Sequence, residues 1–144
     1  MIEVFIECES GSNRKGVYDE KSHVRLSEMT VAAPYPYPYG FILDTRGDDG
    51  EAVDCFLLTD IAVEAGSTLE AHPVGLLEQV ENGEVDHKIL AALPGSEPAL
   101  DRALNDLLRD FITAIFRDFP RVQVEVGAIR DADTAADFIA RHRG

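Results

Sequence analysis

Hydrophobic positions change their spacing part-way along the chain, and that change predicts its layout. Over roughly the first two thirds, apolar and polar residues alternate in short runs, the period of half-buried strands. Ile2–Cys8 predicts a first strand, followed by the turn Ser10-Gly11-Ser12-Asn13, and Val17–Leu26 predicts a second. Val53–Leu58 and Thr68–Val80 read as further strands, with Pro73 marking an edge or a bulge in the latter. Glu81-Asn82-Gly83-Glu84 predicts a hairpin, because Asn-Gly supplies the positive φ of a tight turn. The returning strand is expected over Asp86–Leu93, with Asp86 and Lys88 on one face and His87 on the other.

Between Ala99 and Phe119 the period becomes helical. Leu100, Leu104, Leu107, Leu108, Phe111, Ile112, Ile115 and Phe116 recur at three- and four-residue steps until Pro120 ends the run. Val122, Val124 and Val126 then alternate as a strand, and Thr134 is expected to cap a short last helix that buries Phe138 and Ile139. Strands first and helices later predict an α+β fold, a small mixed β-barrel with helices against it. No shift in composition divides residues 1–144, so a single domain is expected.

Charge narrows the choice of partner. A net charge of −14 argues against nucleic acid, which needs a basic face. It also means that an anionic substrate could bind only where cations invert the local field. No run reaches the length of a membrane span, and the acidic start MIEVFIECES lacks the marks of a signal peptide, so a cytoplasmic protein is expected. Cys8 and Cys55 sit in apolar, strand-like surroundings and read as small core residues. The four histidines are scattered without a metal-ligand spacing.

Candidate chemistry concentrates in Tyr35–Leu58. Alternating prolines in Pro34-Tyr35-Pro36-Tyr37-Pro38 forbid helix and extend the chain, and the tyrosines suit the wall of a pocket. Asp49, Glu51 and Asp54 then lie close enough in sequence to reach one point. A hard cation such as Mg²⁺ would offset their repulsion, while a solvated acidic loop is the plain alternative.

Five motifs in order carry a family resemblance. They are Ile6-Glu7 through Gly11-Ser12, Lys15 and Tyr18-Asp19; Tyr35-Pro36-Tyr37-Pro38-Tyr39-Gly40; Asp49-Gly50-Glu51-Ala52-Val53-Asp54; Pro73-Val74-Gly75-Leu76-Leu77; and the acidic hairpin Glu81 to Lys88. Together they resemble the soluble inorganic pyrophosphatases of the bacterial type. That resemblance implies an OB-like barrel with flanking helices, usually in a homo-oligomer, hydrolysing pyrophosphate to two phosphates with Mg²⁺. It places Asp49, Asp54 and Asp86 on the principal metal ligands, with Glu81 and Glu7 at more peripheral acidic positions. It places Lys15, Tyr39 and Lys88 on phosphate oxygens and Tyr35 on a pocket hydroxyl. Glu51 falls on the acid that activates the attacking water.

The chain departs from the same pattern at several points. Glu51 stands for an Asp, Ala52 for a Pro, Val17 for a Glu and Glu28 for an Arg that grips phosphate. Phe119-Pro120 replaces a Tyr-Lys pair. A kept metal cluster with a thinned phosphate grip implies weakened substrate binding, with Arg25, Arg46 and Arg121 as candidate substitutes for the lost cations. The second reading is a catalytically degenerate module that binds metal or phosphate or serves as an oligomer partner.

Overall fold

Five strands pair in a closed circuit in the computed structural model, which describes residues 1–144. They are β1 (Ile2–Cys8), β4 (Tyr39–Ile42), β5 (Asp54–Leu57), β8 (Lys88–Ala92) and β6 (Thr68–Glu81), the last pairing back to β1. Only β5 and β8 run parallel; the other pairs in the circuit are antiparallel. This mixed ring is the counterpart of the small barrel expected from the sequence.

β2 (Arg14–Tyr18) and β3 (Arg25–Thr30) form a separate two-stranded arm. β7 (Glu84–Val85) and β9 (Val124–Arg130) extend β6. α1 (Arg102–Ile115), a 3-10 turn over Phe116–Asp118, and α2 (Ala132–Arg141) complete the chain. No helix is long and apolar enough to cross a membrane.

Strand alternation divides the core in two. Val4, Ile6, Cys55, Leu57, Ile89 and Ala91 point to one side, where α2 adds Ala135, Phe138 and Ile139. Phe56, Leu58, Leu77 and Leu90 point to the other, where α1 lays down Leu104, Leu108, Phe111 and Ile112. Burying each of these large side chains contributes about 1.5–3 kcal/mol. Gly40 lets β4 approach β1, since a Cβ there would meet the Phe5 carbonyl oxygen at 1.7 Å. Cys8 and Cys55 are buried free thiols.

Several sequence expectations are corrected. Val17–Leu26 is not one strand, because Asp19 accepts the Lys21 and Ser22 amides at 3.0 and 2.8 Å and turns the chain. Asp131, not Thr134, caps α2; its carboxylate accepts both the amide and the hydroxyl of Thr134. The strand expected over Asp86–Leu93 covers only Lys88–Ala92 (β8), and Asp86 and His87 separate it from the short β7 before it. The helical run is shorter than expected and begins after the Asp101 cap. β9 reaches Arg130 rather than stopping at Val126. The Asn82-Gly83 hairpin forms as expected, with φ of 51° and 82°. Pro73 lies at a register shift against β8, a bulge rather than a free edge.

Candidate active site

A cleft of about 610 Å³ opens where β5, β8, the hairpin arm and the end of α1 meet. Its floor is set by strand alternation. Asp54 and Lys88 come from neighbouring strands, and Asp86 lies two residues before Lys88 on the same face. The Lys88 ammonium donates to Asp54 Oδ2 at 2.6 Å and to Asp86 Oδ2 at 3.0 Å. Burial opposes a charge on Lys88, but the two carboxylates outweigh it and hold its pKa above the ordinary lysine value. His87 points to the opposite side, accepts the Gln79 amide through Nδ1 and packs on Phe138.

Asp49 and Glu51 reach the cleft from a different kind of support. They sit on an exposed turn held by its own polar groups. Asp49 Oδ1 accepts the Glu51 amide at 2.9 Å, the Gly47 amide bonds the Glu51 carbonyl, and Gly50 takes φ of 84°. The Ala52 amide donates to the Glu20 carboxylate at 3.1 Å. Glu20 belongs to the turn between β2 and β3, and nothing in its local sequence marks it as a neighbour of residue 52. Burial, then repulsion from Asp49, Asp54 and Glu20, raises the pKa of Glu51.

Among the other expected residues, Glu81, Lys15, Tyr35 and Tyr39 all line the cleft. The Lys15 and Lys88 ammonium groups lie 5.3 and 5.8 Å from the Tyr39 ring centre, within cation–π range. Tyr35 is buried, 5.0 Å from Tyr39 and 4.6 Å from Phe111 between ring centres, and burial pushes its hydroxyl pKa up. Glu7 does not line the cleft. It is half-buried on β1 within electrostatic reach of Lys15 and Asp54, and burial raises its pKa to about 7. Burial raises Glu81 and Asp86 as well, helped respectively by Asp86 and by Asp54.

Six carboxylates (Asp49, Glu51, Asp54, Glu81, Glu84, Asp86) thus share one cleft with two lysines. As they stand, no three acidic, histidine or cysteine side chains are grouped closely enough to hold an ion. Between Asp54 and Asp86 the positive charge is the Lys88 ammonium. The donor chemistry nevertheless fits a divalent cation: the ligands are hard oxygens, and burial, then repulsion from neighbouring acids, raises the pKa values of Glu51, Glu81 and Asp86.

The family profile described as inorganic pyrophosphatase matches residues 4–143. The chain belongs to the inorganic pyrophosphatase family. An inorganic pyrophosphatase of Halalkalibacterium halodurans is 32% identical across all of this chain and 96% of its own length. One from Synechocystis is 30% identical over 96% of this chain and 88% of its own. The solved Helicobacter pylori inorganic pyrophosphatase superposes with a TM-score of 0.87 at 27% identity, covering 97% of this chain and 89% of that one.

Set beside the family pattern, the departures fall out unevenly. Glu28 does not face the cleft; it pairs with Arg14 at 3.6 Å and Arg25 at 2.5 Å on the other side of the arm. Met29, opposite Lys15 in the β2–β3 register, lines the cleft instead. Arg25, Arg46 and Arg121 stay outside it, so Lys15 and Lys88 are its only cationic side chains. Val17 does not line it either. Phe119 does, beside Ile115, Phe116 and Val122, which gives this pyrophosphatase-family cleft an apolar wall that sequence reasoning missed. Gln79 was missed too.

Proposed function

We propose that the protein hydrolyses inorganic pyrophosphate to two phosphates with Mg²⁺ as cofactor. The observation that carries this reading is six carboxylates and two lysines lining one cleft in a chain of this family. Asp49, Asp54 and Asp86 would hold the metal, with Glu81 and Glu7 more distant. When bound, divalent cations supply charge neutralisation for the substrate and lower the pKa of water.

The chain's own groups do the remaining work. Lys15 and Lys88 flank Tyr39 and would hold phosphate oxygens, with the Tyr39 and Tyr35 hydroxyls as hydrogen-bond donors. Glu51 would take the proton of the attacking water, a role suited to a carboxylate whose pKa burial and neighbouring acids raise. With two lysines as the only cationic grip, substrate binding should be weak.

One domain acting as a homo-oligomer suits the apolar Val24 and Leu26 side chains exposed on the arm. A cytoplasmic location suits the two free thiols. The net charge of −14 supports no role with nucleic acid. The test is phosphate release from pyrophosphate with and without Mg²⁺. Activity should require the metal and fall about a hundredfold or more in Asp54→Asn. Undiminished activity in the variant would end this account.

A further inference from the structure

Substrate size is the quantity that the cleft's two halves leave open. At about 610 Å³ it falls in the range that encloses drug-sized molecules, far more than a bare pyrophosphate ion fills. Its charged groups gather at one side, around Lys15, Lys88 and the acids. Met29, Ile115, Phe116, Phe119 and Val122 make the other. Phe119 keeps 46% of its surface exposed and Met29 47%, so these side chains are not consumed by the core. Phe116 and Phe119 meet edge to face at 6.4 Å, a geometry that leaves ring faces available.

Asn82 and Glu84 also line the cleft, and one buried polar group there is left without a partner. Gln79 is only 1% exposed, lines the cleft, and its side-chain oxygen has no hydrogen-bond partner. Its backbone carbonyl accepts the Asp86 amide at 2.9 Å, so it stands opposite Asp86 at the junction of the charged and apolar halves. A buried carboxamide without a partner is costly unless a ligand completes it. A purely hydrocarbon substituent would leave it unsatisfied. A flat heterocycle offers both a π face for the phenylalanines and donor and acceptor edges for the amide.

Building on the pyrophosphatase reading, we propose that the cleft also hydrolyses nucleoside diphosphates, with the diphosphate beside Lys15 and Lys88 and the base between Phe119 and Gln79. The water oxygen bonds to the terminal phosphorus as the bond from that phosphorus to the bridging oxygen breaks. One water proton passes to Glu51, and the products are a nucleoside monophosphate and inorganic phosphate. Met29, beside Lys15 in register, supplies apolar surface where the ribose would cross.

The test runs adenosine diphosphate and pyrophosphate in parallel with Mg²⁺, on wild type, Phe119→Ala and Gln79→Met. Binding of the methylene-bridged analogue of adenosine diphosphate is measured by calorimetry. The expected result is phosphate release from both substrates. The ratio of kcat/KM for the nucleotide to that for pyrophosphate should drop about tenfold in each variant, and analogue affinity should weaken by a similar factor. Pyrophosphate cleaved, with the nucleotide neither cleaved nor its analogue bound, overturns this proposal and leaves the pyrophosphatase reading standing. If neither substrate is cleaved, both fall. An unchanged ratio in both variants also overturns it. So does light scattering that shows Phe119→Ala splitting an oligomer with the ratio unmoved, which would make the wall an interface between copies.

Discussion

Asp54, Asp86 and Lys88 stand on or beside ring strands, largely buried and hydrogen-bonded to one another. Asp49 and Glu51 stand on an exposed turn that is held by its own amides and by Glu20. The two groups share the same carboxylate chemistry and differ in what positions them. A strand fixes its side chains through the whole ladder, so a ring acid cannot shift without cost. The turn is held by a few local bonds and can adjust. The contrast teaches that the ring defines where positive charge sits, while the turn adapts to whatever arrives there.

The sharpest way to break this contrast is to remove the ring's own cation. Lys88→Met leaves Asp54 and Asp86 facing each other without a counter-charge, and should cost about 3–5 kcal/mol in metal-free chemical denaturation. Added Mg²⁺ should recover part of that loss, and raise the variant's stability more than the wild type's. If the variant is as stable as wild type without metal, the floor is not an electrostatic unit.

Glu7 probes the same charge from beneath. Its pKa rises from the ordinary 4.5 to about 7 on folding, so the folded state binds its proton more tightly than the unfolded chain. Its contribution is therefore most favourable below pH 4.5 and is lost as pH climbs to about 7. In the metal-free protein, Glu7→Gln should stabilise by up to about 3 kcal/mol at pH 8 and leave pH 4 stability nearly unchanged. Equal effects at both pH values would remove the electrostatic cause.

What the sequence made legible follows this division. Period alone located the long helix and β6, and Asn82-Gly83 marked the hairpin that delivers Asp86 and Lys88. The acids of the floor were found through motif order. The arm was misread, because Asp19 turns the chain through side-chain bonds that leave no break in hydrophobic period. Glu28 was singled out by its match to a family arginine, whereas strand alternation turns it away and puts its neighbour Met29, paired with Lys15, in the cleft. Gln79 carries no motif, and only the cross-strand position opposite Asp86 reveals it.

The turn should respond more gently than the ring. Glu51→Asp shortens the side chain by one methylene on an adjustable support, and should raise kcat for pyrophosphate by about tenfold if positioning limits the rate. A fall in kcat would show that the turn is set for the longer acid. Ala52→Pro, although it restores the family residue, removes the amide that Glu20 accepts. It should destabilise by about 1 kcal/mol rather than stiffen the turn usefully, and a gain in thermal midpoint would count against the Glu20 contact.

On the proposed reading, the ring and the turn together gather a divalent cation. Calorimetric titration of the wild type with Mg²⁺, beside Asp54→Asn, tests it without relying on turnover. Saturable binding that weakens at least about tenfold in the variant is expected. Identical isotherms, or no binding to either protein, would contradict it.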